Sequence, residues 1–135
     1  MAETLLEQLI RHEGLKLKPY RCTAGKLTIG VGRNLEDMGI TKDEALYMLR
    51  ADIARCYAEC KSAFSWFAAL TEARQNVLVN MCFNMGIARL KEFKKMLAAA
   101  HLGEYEDAAR EMLDSAWAGQ VGDRAKELAE QMQRG

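Results

Sequence analysis

Glu13 is the first residue in the chain that invites chemistry. It closes a short apolar helical stretch and stands directly before Gly14. A carboxyl group partly buried at such a helix end holds its proton more readily than one in water, and can serve as a general acid. The surrounding cations oppose that effect. Residues 11–33 carry Arg11, Lys16, Lys18, Arg21, Lys26 and Arg33 against the single carboxylate of Glu13, a net +5 in 23 residues. Two readings of this stretch stay open. One is a solvated loop face; the other is a patch that receives an anionic polymer.

Sulfur is the second candidate chemistry. The four cysteines stand at 22, 56, 60 and 82, and the two histidines at 12 and 101. They form no Cys-x-x-Cys pair and no zinc-type spacing, so no metal site and no cofactor are expected. An even count is compatible with two disulfides. Free thiols are the expected state, because a chain of 135 residues folds without staples and free cysteine is a common core residue. Cys56 and Cys60, four apart near one helical stripe, are assigned to the core, and most of the eight methionines are read as adaptable core filler.

Composition narrows the class of protein that must position these groups. Nineteen Lys and Arg balance nineteen Asp and Glu; half the residues are hydrophobic, 28% are charged and one is proline. That balance excludes collagen-like and disordered chains. Zero net charge argues against a partner bound through bulk counterion release, and no nucleic-acid motif appears, so no nucleic acid is expected. Met1-Ala2-Glu3-Thr4 lacks a basic region, and Glu7, Arg11, His12 and Glu13 interrupt any leader-like apolar run. No run approaches the roughly 18 apolar residues of a membrane span. The expectation is a soluble protein made in the cytoplasm, without stable membrane association.

The elements follow from capping and periodicity. Thr4-x-x-Glu7 opens a first helix with Leu5, Leu6, Leu9 and Ile10 on one face, and Gly14 ends it. Residues 15–33, punctuated by Pro19, Gly25, Gly30 and Gly32, read as turns and short strands. Thr41-Lys42-Asp43-Glu44 is a second capping box, and it opens a helix with a stripe of Leu46, Leu49, Ile53 and Tyr57. Phe64–Phe67 plugs a core, and Thr71 caps a helix carrying Val77, Leu78, Met81 and Cys82 that stops near Gly86. One helix is expected through Leu90, Phe93, Met96 and Leu97 to His101, and two more around Tyr105–Leu113 and Asp123–Met132. The fold class is α+β, mainly helical, with one small strand-rich lobe near the N-terminus. Layouts of this kind often place a ligand cleft between two lobes.

A resemblance sharpens this reading. Glu13-Gly14-Leu15-Lys16-Leu17-Lys18-Pro19-Tyr20, followed by Thr28-Ile29-Gly30-Val31-Gly32, closely resembles the catalytic segment of phage-type lysozymes, the endolysins related to the T-even phage enzyme. The family pattern is Glu, eight residues, Asp or Cys, five residues, Thr; Glu13, Cys22 and Thr28 match both spacings. Three further segments agree in order: Gly39–Ala45 with the start of the long inter-lobe helix, Asn80–Gly86 with the cleft-lining helix end, and Ser115-x-Trp117-x-x-Gln120 with Asp123-Arg124-Ala125 near the C-terminus.

The resemblance implies a lysozyme-like fold: a single domain over residues 1–135. About 13–60 would form a β-hairpin lobe and connecting helix, and about 61–135 with 1–12 a helical lobe. It implies a muramidase that cleaves the β-1,4 bond between N-acetylmuramic acid and N-acetylglucosamine in peptidoglycan. Glu13 would protonate the leaving oxygen, Thr28 would help hold the attacking water, and Phe83 and Asn84 would line the saccharide site. Gly30 and Gly32 would let the hairpin turn tightly. Cys22 stands where the family usually has Asp. A thiol of ordinary pKa, about 8.5, is only a few per cent ionised at neutral pH, and neighbouring cations would raise that fraction. It would act as a base toward water in an inverting route, or as a nucleophile in a retaining one; the alternative is a spare thiol. Arg33 stands where the family usually has His, so the family's His–carboxylate pair is absent or replaced.

The same resemblance leaves two other activities open. A lytic transglycosylase needs the acid but no water-activating group, and a peptidoglycan-binding module needs neither. Partners implied are peptidoglycan and a holin-type permeabilising protein. The chain would act as a monomer, held in the host cytoplasm until released to the cell wall.

Overall fold

Thr4 starts the first helix, α1 (Leu5–Glu13). Its hydroxyl accepts the backbone N–H of Glu7 at 3.1 Å and donates to the Glu7 carboxylate at 3.0 Å. Gly14 stops the helix at φ +79°, with its N–H returned to the Ile10 carbonyl. The computed structural model describes residues 2–135. In it the apolar stripe of α1 is exposed, and no residue of the helix is buried.

The Gly-punctuated stretch forms three antiparallel strands in the order β1 (Lys16–Arg21), β2 (Leu27–Gly30) and β3 (Arg33–Asn34). Pro19 falls on an outer strand, inside a register irregularity between Lys16 and Tyr20, where its missing N–H costs no ladder bond. Thr28 sits at the centre of the sheet, opposite Tyr20 on one side and Asn34 on the other. Asn34 then caps α2 (Leu35–Met38) by accepting the Asp37 N–H.

The second capping box is reciprocal. The Glu44 N–H donates to Thr41 Oγ1 at 3.1 Å, and the Thr41 N–H to Glu44 Oε1 at 2.8 Å. It launches α3 (Lys42–Ala63), 22 residues and so about 33 Å long. Its expected stripe is largely on the surface: Leu46 is half-buried, and Leu49, Ile53 and Tyr57 are exposed. Only Cys56 and Cys60, on its last turns, are buried. The described chain forms two compact units that divide within α3, after Tyr47.

The second unit, Met48–Gly135, contains the core. After a 3-10 turn at Phe67–Ala69 come α4 (Glu72–Met85), α5 (Ile87–Leu90), α6 (Lys94–His101), α7 (Tyr105–Leu113), α8 (Ala116–Val121) and α9 (Asp123–Arg134). Helix α7 packs on α6 and α9, and α4 on α9. Phe67, Val77, Leu78, Met81, Leu90, Met96, Met112, Trp117 and Met132 are all 1% exposed or less. A single buried amide ties the turn to α4: Gln75 donates to the carbonyls of Phe67 and Leu70 and accepts from the Tyr57 hydroxyl. The helix expected over Leu90–His101 is broken at Lys91–Phe93, where Phe93 leaves helical geometry and packs edge-on to Trp117. Ser115 caps α8 as a separate helix.

Candidate active site

Glu13 ends α1, so the position of its carboxylate is set by where that helix stops. Gly14 makes the stop, and the turn after β2 meets it. A Cβ on Gly32 would lie 3.0 Å from Glu13 Oε2 and 3.3 Å from its Cδ. Gly32 has φ +70°, so the turn needs glycine there twice, for its backbone and for the carboxylate resting on it. The sequence assigned Gly32 to turn geometry alone; nothing in the spacing announced its contact with Glu13. Of the two environments the sequence left open for Glu13, the structure shows the exposed one. An apolar hollow of about 590 Å³ adjoins Glu13, lined by Leu5, Leu9, Ile10 and Val31 among others.

Cys22 and Thr28 are brought together. Cys22 follows β1 and begins a tight loop. Its N–H donates to the Lys26 carbonyl at 3.0 Å, and its own carbonyl accepts the Gly25 N–H at 2.8 Å. The half-buried thiol is free. Hydrogen bonds from the backbone at Lys26 and then Ala24 hold its pKa below the usual thiol value against a partial desolvation, and the Thr28 side chain adds to the lowering. Thr28 is 3% exposed, and its hydroxyl donates to the Lys26 carbonyl at 2.8 Å. That hydroxyl spends its proton on the carbonyl, and the Thr28 side chain lies close enough to Cys22 to bear on its thiol. The loop therefore favours thiolate through fixed backbone dipoles, not through the arginine and lysine side chains that the sequence suggested.

Those cations are mostly committed elsewhere. Arg11 is bidentate on Glu3, Arg21 meets Glu36 at 2.6 Å, Lys26 approaches Asp37 at 3.5 Å, and Arg33 is bidentate on Glu44. The +5 segment is thus largely neutralised by carboxylates that lie outside it in sequence. Glu36 also accepts the Leu27 N–H at 2.9 Å, which together with Arg21 keeps its carboxyl below the ordinary range. Arg33, where the family usually has His, makes a carboxylate pair of its own with Glu44. Its guanidinium reaches Glu44 Oε2 at 2.7 Å and the Gly39 carbonyl at 3.1 Å. That guanidinium, with the Thr41 N–H, pulls the Glu44 pKa down to about 2.

Phe83 and Asn84 belong to the second unit, on the last turn of α4, and both are exposed. Asn84 is held by Trp117, whose indole N–H donates to its Oδ1 at 2.8 Å. Asn80, one turn earlier, accepts both Nε and Nη2 of Arg124 on a single oxygen, at 3.0 and 2.7 Å. The Trp and Arg segments singled out in the sequence therefore anchor the exposed end of α4. Chemically, the first unit offers an exposed carboxyl group and a thiol biased toward its anion. The second offers an aromatic face beside an oriented amide.

Comparison with known proteins bears on what these groups are for. The family model for phage lysozyme matches residues 10–134. The chain is 31% identical to the pre-baseplate central spike protein Gp5 of Enterobacteria phage T4, over 93% of its own length but 27% of that protein's. It is 31% identical to the endolysin of Acyrthosiphon pisum secondary endosymbiont phage 1, over 84% of this chain and 77% of that one. It is 27% identical to a probable T4-type lysozyme 2 of Dictyostelium discoideum, over 95% of this chain and 92% of that one. Matched over nearly its whole length by the family model, and by relatives much of whose own length it spans, the chain belongs to the phage lysozyme family and is a glycoside hydrolase of the lysozyme class.

Proposed function

We propose that this chain hydrolyses the β-1,4 bond between N-acetylmuramic acid and N-acetylglucosamine in peptidoglycan with a carboxyl–thiol pair. Glu13 gives its proton to the leaving glycosidic oxygen. The Cys22 thiolate takes a proton from a water that Thr28 helps to hold, and that water attacks the anomeric carbon from the opposite face. The bond to the leaving sugar breaks, the new hydroxyl carries inverted configuration, and proton exchange with solvent restores both groups. Phe83 and Asn84 are assigned to saccharide binding, the ring by stacking and the amide by hydrogen bonding. The observation that carries this reading is the Cys22 loop, where backbone dipoles and Thr28 converge on the one thiol that is not buried.

Digestion of purified peptidoglycan with mass spectrometry of the fragments tests it. Reducing muramic ends are expected; 1,6-anhydro ends would instead assign a transglycosylase, and binding without fragments a binding module. Glu13→Gln is expected to lower the lytic rate by about 10²–10⁴-fold without loss of fold, the usual contribution of a general acid. Cys22→Ala should fall by a similar order and Cys22→Asp should retain activity. If Cys22→Ala lyses walls as fast as the parent, the thiol has no catalytic role.

A further inference from the structure

The three cysteines outside the active site form a cluster that their spacing in sequence conceals. Helix α3 presents Cys56, Glu59 and Cys60 at i, i+3 and i+4, which lie on one side of a helix. Helix α4 brings Cys82 to them. The thiol sulfurs of Cys56 and Cys82 and a carboxylate oxygen of Glu59 all lie within 4.8 Å of one another. Cys60 lies beside Cys82 as well, close enough to act on its thiol. The three cysteines are 2% exposed or less, whereas the Glu59 side chain is 35% exposed. Arg55 steadies Glu59 at 3.3 Å. A surface hollow lined by Arg55, Glu59, Ile87 and Lys91 adjoins the exposed edge of the group at Glu59.

Core packing accounts for one buried cysteine, or for two a helical turn apart. It does not account for two sulfurs and a carboxylate from two helices lying within 4.8 Å of one another, with a third thiol, Cys60, beside Cys82. Separations below 4.8 Å are near those between ligands of a four-coordinate ion with metal–sulfur bonds of about 2.3 Å and metal–oxygen bonds of about 2.0–2.2 Å. Sulfur-rich donor sets select soft or borderline ions over Mg²⁺ and Ca²⁺.

We propose that Cys56, Glu59 and Cys82, with Cys60 as the fourth donor, form a binding site for a thiophilic divalent cation of the Zn²⁺ type. Burial raises the Cys60 and Cys82 thiols, the latter to about 11, so in the absence of metal they hold their protons. Binding displaces those protons: each sulfur gives one H⁺ to solvent as its metal bond forms, with no change of oxidation state. The ion would clamp the end of α3 to α4. It has no place in the hydrolytic steps above.

The test uses Cys22→Ser protein, fully reduced, so that no active-site thiol contributes. Cd²⁺ titration is expected to give a sulfur-to-metal charge-transfer band that saturates at one ion per chain. Zn²⁺ should compete for the same site, release protons and raise the melting temperature. Adding Cys82→Ser should abolish the band. Since that change could also disturb the core, Glu59→Gln at the exposed edge is the second variant. It should keep the fold and weaken Zn²⁺ binding by at least the roughly tenfold that loss of even an outer-shell partner costs. A folded, reduced Cys22→Ser protein with no band overturns the proposal. So does Zn²⁺ affinity unchanged in both variants.

Discussion

Gly32 shows how a residue with no side chain can set the place of a carboxylate. Replacing it with alanine costs twice: the backbone is held at φ +70°, and the new methyl would press on the Glu13 carboxylate at 3.0 Å. Gly30 separates these effects. It has nearly the same φ, +71°, but open space where a Cβ would go. Both alanine variants should therefore lose about 1–2 kcal/mol of stability from the left-handed backbone. Gly32→Ala alone should also lose lytic rate at saturating substrate, by up to about 10²-fold, the cost of displacing a reacting group by about 1 Å. Equal rates in the two folded variants would show that Gly32 only shapes the turn. Cys22 makes a prediction of a different kind, in pH. Its pKa is lowered by the backbone at Lys26 and Ala24, so the thiolate gains as pH rises through that lowered value. The lytic rate should climb over the same range. In Cys22→Asp the climb should move several pH units lower, into the carboxylate range. A profile that stays in place on that substitution removes Cys22 from the rate-limiting ionisation.

At the scale of elements, the start of α3 is held by one group serving two purposes. Glu44 closes the capping box with Thr41 and also receives both guanidinium nitrogens of Arg33 from the end of the sheet. Its folded pKa of about 2 lies below the ordinary 4.5, so its stabilisation is fully present above the ordinary value. It is lost as pH falls from about 4.5 toward 2. Glu44→Gln should therefore have a flatter acid-unfolding curve than the parent over that window, when thermal midpoints are compared at several pH values; parallel curves would refute the link. Thr41→Ala should cost about 1 kcal/mol at neutral pH through loss of the cap. This junction was half legible. The capping boxes at Thr4 and Thr41 and the cap at Thr71 lie within four residues, and the structure contains them where the sequence places them. Gly14 and Gly86 stop helices as read, each at positive φ. The partners of Arg11, Arg21 and Arg33 lie 8, 15 and 11 residues away; α1 brings the first pair together, and only the folded sheet region and the helices that follow it bring the other two. The break at Lys91–Phe93 has neither Gly nor Pro to mark it; Phe93 is drawn to Trp117, a tertiary contact that overrides helical periodicity.

Over the whole molecule, the sulfur atoms report on stability and chemistry separately. The sequence placed Cys56, Cys60 and Cys82 in the core, and all three are buried; Cys22, matched to the family motif, is half-buried. What it hid was their convergence, because Cys82 is 26 residues from Cys56 in the chain and on another helix. The two environments predict opposite reactivities. Cys22 is half-buried with a lowered pKa, whereas Cys60 and Cys82 are raised by burial. A thiol alkylates as its anion and only when reached, so native, metal-free protein at neutral pH should take up one label, at Cys22, and lose lytic activity in step with it. Labels at 56, 60 and 82 should appear only as the Met48–Gly135 unit opens, because their shielding comes from the packing of α3 and α4 within the core. In denaturant, labelling of these three should follow the loss of helical signal, and stoichiometry should rise from one to four. A core destabilised without touching sulfur, as by Met112→Ala at about 2–5 kcal/mol, should speed the late labels and leave the first unchanged. Mass spectrometry of timed digests resolves the four sites. Four labels arriving together in the native protein would mean that the helical unit opens as readily as the Cys22 loop.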